Sequence, residues 1–387
     1  MTPYERIYAA VSGKTPDRVP VIPKIWVDLA ARLTGTSLIE VIENPLTALW
    51  VIAEAGLLCQ VDGVRQFHFP KRSVAEAEGK VFHLGEKGKR LGEIDMLGGL
   101  MTHLYDPKDF RLEDPYWIAH SQYWVSKTPI VRHIEDAEQM AVPGKKFYED
   151  IGCGERQREI MSRVGDRVAI LGDCGAATLA FHVGFRGMHQ GLLDLVDQPK
   201  LVHRVMEKGV LIAIEKGKFN LDLGLRILRL NDSVGNVSVI SPGHWREFVL
   251  PHMKDVVSEL HRYCPEARIY CHICGNILPI VEDLMETGLD CIGPMDPLGG
   301  FTPAEVRGRV GDTFPLMGGV DALSFVNSTP EEIVEEARRC IHQAGRKGAY
   351  VLGSGCVVPR GARKANVEAL RSASDQYGMY RLGNLVS

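Results

Sequence analysis

The sequence predicts an α/β fold, a (β/α)8 TIM barrel with an N-terminal helical extension and a β-hairpin insert. Three features of the chain support this prediction: eight short apolar runs rich in β-forming residues, amphipathic stretches between them, and no Gly-x-Gly-x-x-Gly turn after an early run. Strands that alternate with helices form either a closed barrel or a doubly wound open sheet. Eight runs without a dinucleotide-binding turn favour the barrel.

The eight runs are distributed over the whole chain, and each is short enough for a buried strand. They are VPVIP (19–23), VDGVRQF (61–67), VAILGD (168–173), LRILRLND (225–232), ARIYCHIC (267–274), LDCIG (289–293), FPLMGG (314–319) and AYVLGSG (349–355).

The helices between the later runs have recognisable ends. Thr329 can cap a helix that has Pro330 at its first position and Glu332 at its third, which completes a capping box. A second helix is predicted to begin after Ser241, and Pro251 predicts a kink or break within it.

The insert is predicted from residues 80–97, which alternate around Gly85, Gly88 and Gly92 and are typical of a β-hairpin. Residues 100–165 carry the least interpretable pattern of the chain. Because no low-complexity linker interrupts the sequence, we expect residues 1–387 to form a single domain with this hairpin inserted.

Composition excludes several classes of protein. The 387 residues are 45% hydrophobic and 24% charged with a net charge of −4, so a global basic field for nucleic acid or acidic lipid is absent. An early apolar leader and an uninterrupted run of 18 apolar residues are also missing, so we expect a cytoplasmic protein without a membrane segment. Nine cysteines scattered along the chain predict reduced thiols or metal ligands.

The segment YCHICGN (270–276) contains the most informative pattern. On a strand, His272 and Cys274 share one face, whereas Cys271 lies on the other face between two isoleucines. Cys271 is therefore predicted to pack against the surrounding helices. A redox pair of Cys271 and Cys274 is disfavoured because the two sulfurs would point to opposite sides of the strand.

His272 and Cys274 lie at the carboxyl end of a predicted barrel strand, where barrel enzymes place their chemistry. Cys356, in LGSGCVVP, occupies the same position after the last run, with 81 residues between it and Cys274. One imidazole and two thiolates suit a zinc ion with an open fourth position. The alternative is a satisfied buried histidine and two core thiols, because a His-x-Cys with a distant cysteine is a weak metal signal.

Other polar residues near the predicted strand ends are candidates for the same site. Asp173, Asp232 and Asp321 could each position a substrate, orient His272 or supply a fourth ligand, or each could cap a helix. For Asp173 capping is the favoured interpretation. Further candidates for substrate contact are Lys24, Trp26, Asp62 and His68, although a lone histidine in QFHFP is more often a packing residue.

Several segments resemble the uroporphyrinogen decarboxylase superfamily and, within it, the corrinoid-dependent methyltransferases. They are DRVPV (17–21), NDSVGNVSVISPGHWREFVLPHMKDVV (231–257), YCHICGN (270–276), GLDCIG (288–293), MGGVDAL (317–323) and VLGSGCVVPRGARKANVEAL (351–370). The resemblance implies a (β/α)8 barrel and a zinc signature met by His272, Cys274 and Cys356. It also favours catalytic roles for Asp232 and Asp321 and adds Asn231 to the substrate candidates.

The decarboxylases themselves carry an arginine-bearing Met-Arg-Gln-Ala-Gly-Arg segment after the first strand and Gly-His-Gly near the last one. The corresponding stretch here is IPKIWVDLAARL (22–33), with Lys24 and Arg32 but without that motif, and the last run ends in Gly-Ser-Gly-Cys. A decarboxylase is therefore the disfavoured alternative, as is a non-catalytic binding protein on the same barrel.

The methyltransferase resemblance implies Zn2+, which activates a thiol such as coenzyme M or polarises a methyl ether or other methyl donor. It further implies a corrinoid (cobalamin) carried by a partner protein, since the chain has no Asp-x-His-x-x-Gly motif. We expect no nucleic-acid or membrane partner. The oligomeric state is open, with a homodimer as one candidate.

Overall fold

The computed structural model describes residues 1–97 and 99–386. Its strands, in chain order, are β1 (Gly63–Arg65), β2 (Ser73–Ala77), β3 (Lys80–Leu84), β4 (Arg90–Ile94), β5 (Thr102–Leu104), β6 (Trp124–Ser126), β7 (Ala169–Ala176), β8 (Ile227–Asn231), β9 (Arg268–His272), β10 (Cys291–Met295), β11 (Leu316–Val320), β12 (Tyr350–Ser354), β13 (Tyr380–Arg381) and β14 (Asn384–Leu385).

The α-helices are α1 (Pro3–Val11), α2 (Val27–Thr34), α3 (Leu38–Glu43), α4 (Pro45–Leu58), α5 (Pro115–Ala119), α6 (Ile134–Gln139), α7 (Lys145–Asp150), α8 (Cys153–Val164), α9 (Leu179–Arg186), α10 (Met188–Asp197), α11 (Pro199–Asp222), α12 (Pro242–His244), α13 (Leu250–Tyr263), α14 (Val281–Glu286), α15 (Pro303–Val310), α16 (Ser324–Asn327), α17 (Pro330–Ala344) and α18 (Lys364–Tyr377). None of these described helices has the length and apolar character that crossing a bilayer requires.

Seven parallel strands form the central sheet in the order β1-β7-β8-β9-β10-β11-β12. The extended segment 19–23 takes the eighth place, because the Ile22 amide donates to the Leu352 carbonyl at 2.8 Å on one side. On the other side, the Asp62 amide donates to the Val21 carbonyl at 2.9 Å, which joins the segment to the start of β1. The predicted (β/α)8 fold and its eight runs are confirmed.

The two faces of the strands are buried in different places. Tyr270 of β9 packs inside the barrel with Leu171 and Met317, whereas Cys271 belongs to the larger cluster between the strands and the helices. This confirms the predicted orientation of Cys271. Ile7 of α1 also joins the interior cluster, so the N-terminal helix covers the amino end of the barrel.

The structure contains a helix at each of the two predicted helix starts. The Glu332 amide donates to Thr329 Oγ1 at 3.3 Å and the Thr329 amide donates to the Glu332 carboxylate at 2.7 Å, which is the expected capping box at the start of α17. Near Pro251 the chain forms a π-helical turn, Trp245–Val249, between α12 and α13. Pro251 has no amide hydrogen to donate, and the chain accommodates it with this widened turn in place of the predicted kink or break.

The insert is larger than predicted. Strands β3 and β4 form the expected antiparallel hairpin, with Val81 opposite Ile94. They belong, however, to a five-stranded sheet in the order β2-β3-β4-β5-β6, whose last pair is parallel. The five strands between Ser73 and Ser126 therefore form a second sheet, separate from the central one. That the whole chain is a single domain stays a prediction.

Candidate metal centre

The three predicted metal ligands meet at the carboxyl ends of the barrel strands. The ligand atoms of His272, Cys274 and Cys356 all lie within 4.8 Å of one another. His272 is the last residue of β9, Cys274 follows it by two positions, and Cys356 lies two positions beyond the end of β12. Because β9 and β12 are parallel strands of one closed sheet, their carboxyl ends face the same mouth.

Two glycines allow the ligand-bearing loops to approach each other. Gly275 has φ +87° and its amide donates to Asp296 Oδ2 at 3.0 Å. A Cβ atom at Gly355 would lie 2.7 Å from Pro297 Cδ and 3.0 Å from Asp296 Cα, so a larger residue would push the loop away. Asp296, which follows β10, thus holds the loop of Cys274, while the Gly355 amide donates to the Val320 carbonyl at 2.7 Å in the loop of Cys356.

The charge states of the three ligands suit a soft divalent cation. A hydrogen bond from Cys274, with burial opposing it, lowers the pKa of Cys356 to about 6. The same contact, together with burial, raises the pKa of Cys274. Burial, reinforced by the positive charges of Lys24, Arg229 and Arg65, holds the pKa of His272 well below its usual range, so the imidazole is neutral.

These donors fit a zinc ion. Neutral imidazole nitrogen and thiolate sulfur are its preferred ligands, and three of them leave a coordination position open. In addition, His272 Nδ1 is buried without a hydrogen-bond partner in the described part of the chain.

Lys24 lies against the ligand cluster. Its Nζ is 3.0 Å from His272 Nε2, and its amide donates to Ser354 Oγ at 3.0 Å. Burial and the nearby Arg229 hold the pKa of Lys24 well below its usual range, although the two cysteines oppose them. The structure therefore brings this predicted substrate residue to the candidate centre, and its contact with substrate stays a prediction.

Beneath the ligands, the barrel interior contains a buried charge network that the sequence analysis missed. Arg229 Nη1 donates to Asp173 Oδ1 at 2.5 Å, and Lys216 Nζ donates to Asp173 Oδ2 at 3.1 Å. Arg65 Nε donates to the Tyr270 hydroxyl at 2.5 Å. Although burial acts in the opposite direction, Lys216 and Arg229 lower the pKa of Asp173.

Asp173 is therefore a buried ion-pair partner, and its predicted role as a helix cap is wrong. The sequence did contain a signal for Arg229, because this arginine interrupts the apolar run LRILRLND at a position that faces the inside of the barrel. Asp296 had a weaker signal, since it lies three positions after the run LDCIG (289–293) and directly after the observed strand β10.

Asp232 makes a contact of the helix-capping kind. Its carboxylate accepts hydrogen bonds from Thr178 Oγ1 at 2.6 Å and from the Ala180 amide at 2.7 Å, at the start of α9. Its charge raises the pKa of Cys271, the thiol on the helix side of β9, after the larger effect of burial. The contacts correspond to the capping alternative for Asp232, and its catalytic role stays a prediction.

The structure places Asp62 and His68, two predicted substrate contacts, at opposite ends of β1, and their contact with substrate stays a prediction. The Asp62 carboxylate lies at the amino end of β1, where Arg6 and Arg18 each bond to it at 2.7 Å. His68 packs with its ring centroid 5.5 Å from that of Phe219. Burial lowers the pKa of His68 to about 3, so it is a neutral packing residue.

The remaining candidates lie near the mouth. Asp321 follows β11, and its carboxylate accepts a hydrogen bond from the Leu323 amide at 2.9 Å, which is the capping alternative. The negative charge of Asp321 nevertheless acts on Asp296. Burial is the main cause of the raised pKa of Asp296, and the charge of Asp321 raises it further. Trp26 packs edge-on against Phe67 at 4.3 Å, and Asn231 pairs in register with His272. Roles for Asp321, Trp26 and Asn231 in catalysis or substrate binding stay predictions.

Comparison with known proteins gives one family match. Residues 119–377 match the uroporphyrinogen decarboxylase (URO-D) family. A methylated-thiol–coenzyme M methyltransferase of Methanosarcina mazei is 28% identical over 175 residues, which is 44% of this chain and 43% of that relative. The alignment thus spans less than half of that relative's length. A uroporphyrinogen decarboxylase of Chlorobium phaeovibrioides is 26% identical over 269 residues, covering 65% of this chain and 73% of that enzyme.

Among solved structures, a methyltransferase from Methanosarcina mazei superposes with a TM-score of 0.68 and 17% identity. The superposition covers 97% of this chain and 99% of that one. At this level of identity the likeness supports the barrel fold alone.

Proposed function

This chain belongs to the uroporphyrinogen decarboxylase family, and from that premise we propose that it is a zinc-dependent methyltransferase. It moves a methyl group between a corrinoid on a partner protein and a small substrate at the candidate metal centre. The observation that carries the proposal is the convergence of His272, Cys274 and Cys356 within 4.8 Å. The partial likeness to a methylated-thiol–coenzyme M methyltransferase supports it.

His272, Cys274 and Cys356 would hold the zinc, which when bound stabilises a substrate thiolate or polarises a methyl-bearing heteroatom. The chain contributes the electrostatics around it. Cys356, with a pKa of about 6, is already deprotonated at neutral pH. Gly275 and Asp296 fix the loop that carries Cys274 through their 3.0 Å hydrogen bond. Preorganised ligands of this kind are typical of catalytic metal sites.

The decarboxylase alternative lacks its substrate clamp. Arg32 is the arginine of the segment 22–33, and its guanidinium donates to the Arg360 carbonyl at 2.5 Å and also to the Ala362 carbonyl. It is therefore engaged within the protein and not directed at a ligand. A tetrapyrrole with many carboxylates needs several such cations at the mouth, so the decarboxylase reaction is disfavoured.

The corrinoid is proposed to arrive on a partner, because the chain carries no corrinoid-binding motif. The hairpin of β3 and β4 is one candidate surface for docking that partner. Two of its lysines pair within the chain, Lys80 with Glu93 at 2.8 Å and Lys89 with Asp109 at 2.5 Å. The charge that remains for a partner is carried by Lys87 and Arg90, which are both exposed.

The proposal is tested by measuring zinc and cobalt absorbance together. Purified protein should contain one zinc per chain, and it should convert methylcobalamin or cob(I)alamin in the presence of a matching thiol or methyl ether. Cys356→Ala should abolish both properties, whereas Cys271→Ala, with the sulfur on the helix side, should keep both. Full methyl transfer by Cys356→Ala, or wild-type protein without stoichiometric zinc, contradicts the proposal.

Two further measurements separate the alternatives. Loss of carboxyl groups from a porphyrinogen would identify a decarboxylase. In cobalt-substituted protein, the d–d spectrum should change when a thiol or methoxy ligand is added, whereas an unresponsive spectrum would indicate a structural or non-catalytic site.

A further inference from the structure

The insert contains a cavity of its own. Its volume of about 380 Å3 is within the usual range for small-molecule sites. The walls come from β3, β4 and the turn between them, from the segment 108–111, and from the start of α5 and of β6. All of its lining residues lie between Lys71 and Trp124, so neither the central sheet nor the three candidate metal ligands contribute to it. A compound bound here would be held apart from the candidate metal centre.

Cations outnumber anions in the wall of this cavity. The charged side chains that line it are Lys71, Lys89, Lys108, Arg111, Glu86 and Asp109. Lys89 pairs with Asp109 at 2.5 Å, and Arg111 pairs with Asp114 at 2.9 Å. The ammonium groups of Lys71 and Lys108 are exposed and form no ion pair within the described part of the chain. One free carboxylate, that of Glu86, opposes these two free cations.

A further positive charge is buried behind the wall. Arg72 is 2% exposed, and its guanidinium donates to the Leu100 carbonyl at 2.8 Å and to Thr102 Oγ1 at 3.1 Å, which are both neutral acceptors. Burial lowers the pKa of Arg72 to about 10, so the group is still charged at neutral pH. Its guanidinium carbon lies 5.8 Å from the ring centre of Trp124, which lines the cavity. A buried cation without a counter-ion is unfavourable, and an anion in the cavity would reduce that cost.

His83 provides an unpaired imidazole in the same wall. Its ring is 7% exposed and lies parallel to that of Trp124, with the centroids 5.3 Å apart and an angle of 11°. Nδ1 is buried without a hydrogen-bond partner among the described residues. Burial, followed by the charge of Arg72, lowers the pKa of His83 to about 4, so the neutral ring has one N–H to donate at pH 7. Buried polar groups are almost always hydrogen-bonded, and an oxyanion in the cavity would supply an acceptor.

We propose that this cavity is a binding site for a small phosphate ester. The phosphate oxygens accept hydrogen bonds from the ammonium groups of Lys71 and Lys108 and from the imidazole of His83. Arg72 stabilises the negative charge from behind Trp124 without contacting the ligand. A phosphate group suits these donors because it carries up to two negative charges and its oxygens accept several charge-assisted hydrogen bonds at once.

The organic part of the ester has an apolar wall to contact. Leu91, Tyr116 and Trp117 line the cavity together with the charged groups. An inorganic phosphate ion would leave most of the 380 Å3 empty, whereas small-molecule sites enclose most of their ligand's surface. We therefore expect an ester to bind more tightly than inorganic phosphate. The site does not rest on the proposed methyl transfer, because the metal ligands are not part of its wall.

Two lysines provide a matched pair of variants. Lys108→Met removes one free charge from the wall and keeps most of the apolar stem. Lys87→Met removes the same charge from the turn between β3 and β4, where Lys87 is exposed and does not line the cavity. Both changes are on the surface, so both variants should fold. The net charge changes equally in the two proteins, and a difference in affinity between them therefore reports on the cavity.

The test is calorimetric titration of the full-length protein at low salt with ribose 5-phosphate, inorganic phosphate and ribose. Wild type and Lys87→Met should bind ribose 5-phosphate most tightly and should not bind ribose. Lys108→Met should bind ribose 5-phosphate about tenfold more weakly, and Glu86→Gln about twofold more tightly. His83→Phe, which keeps a flat ring beside Trp124, should weaken the binding about tenfold.

Three results overturn the proposal: no binding of ribose 5-phosphate by wild type, equal affinities of Lys108→Met and Lys87→Met, or loss of binding in Cys356→Ala. The last variant should bind ribose 5-phosphate as wild type does, since Cys356 lies outside the cavity. Zinc content and methyl transfer are measured on the same samples. Binding that depends on Lys108 supports the site even where the protein proves to lack zinc or methyl transfer.

Discussion

Replacing Asp62 by asparagine removes the negative partner of two buried arginines. The carboxylate is 1% exposed and accepts hydrogen bonds from Arg6 Nη1 at 2.7 Å, from Arg18 Nη2 at 2.7 Å and from the Val21 amide at 2.8 Å. Asparagine has nearly the same size but has no charge, and it turns a donor toward a guanidinium. The variant therefore changes electrostatics and leaves packing almost unaltered.

The expected loss of stability follows from burial. Breaking a buried ion pair from one side costs about 3–5 kcal/mol. Arg6 keeps a second partner, Asp17, at 2.6 Å. We therefore expect the free energy of unfolding to fall by about 3 kcal/mol, the lower end of that range. Dividing this loss by an unfolding entropy of about 2.1 cal/mol/K per residue gives a decrease in Tm of about 4 °C for a chain of this length.

The assay is thermal and urea unfolding of Asp62→Asn beside Asp150→Asn. Asp150 forms an exposed pair with Lys146 at 2.7 Å, so its variant should stay within about 0.5 kcal/mol of wild type. Asp62→Asn should also keep its zinc and its substrate affinity, because Asp62 lies at the amino end of the barrel. A variant with wild-type Tm but weakened substrate binding would refute this placement and restore Asp62 to the site.

The remaining predictions concern the candidate centre and its surroundings. Elemental analysis should show that Cys274→Ala and Cys356→Ala lose zinc while Cys271→Ala retains it, and zinc in all three variants would argue against the ligand set. Because the pKa of Cys356 is lowered to about 6, its thiolate persists down to that pH. The zinc affinity should then fall more steeply with acid below pH 6 than above it, as competition with a chromophoric chelator would measure, and one constant slope would contradict this. Burial raises the pKa of Asp232 to about 6, so the folded state binds its proton more tightly than the unfolded state does. Wild type should therefore lose roughly 2 kcal/mol of unfolding free energy relative to Asp232→Asn between pH 4 and pH 6. The same difference in unfolding free energy between the two proteins at both pH values, measured by urea unfolding, would disprove it.

The barrel was predictable because its signals are local. Each strand is a short apolar run, and the capping box at Thr329 lies within four consecutive residues. The insert was only partly predictable, because β2 has an exposed or half-buried pattern and β5 has three residues. Such strands are stabilised by their partners in the sheet, and pairing between distant segments leaves little trace in composition or periodicity.

The sequence by itself determined which residues of YCHICGN share a face. Strand side chains alternate with a period of two, so His272 and Cys274 had to point one way and Cys271 the other. Cys356 was predicted at the same mouth for a different reason, because it follows the carboxyl end of the last run (349–355) of a predicted barrel. The structure brings these three ligand atoms within 4.8 Å of one another.

Only the tertiary structure decided what the carboxylates do. Asp62, Asp173 and Asp232 each stand beside a predicted strand, and yet one pairs with arginines, one with Arg229 and Lys216, and one caps α9. The partner of a carboxylate is whichever donor the fold brings within about 3 Å, and those donors lie up to 56 residues away in the chain. The contact of Lys24 with His272, 248 residues apart in the chain, depends on the same long-range approach, which no local pattern encodes.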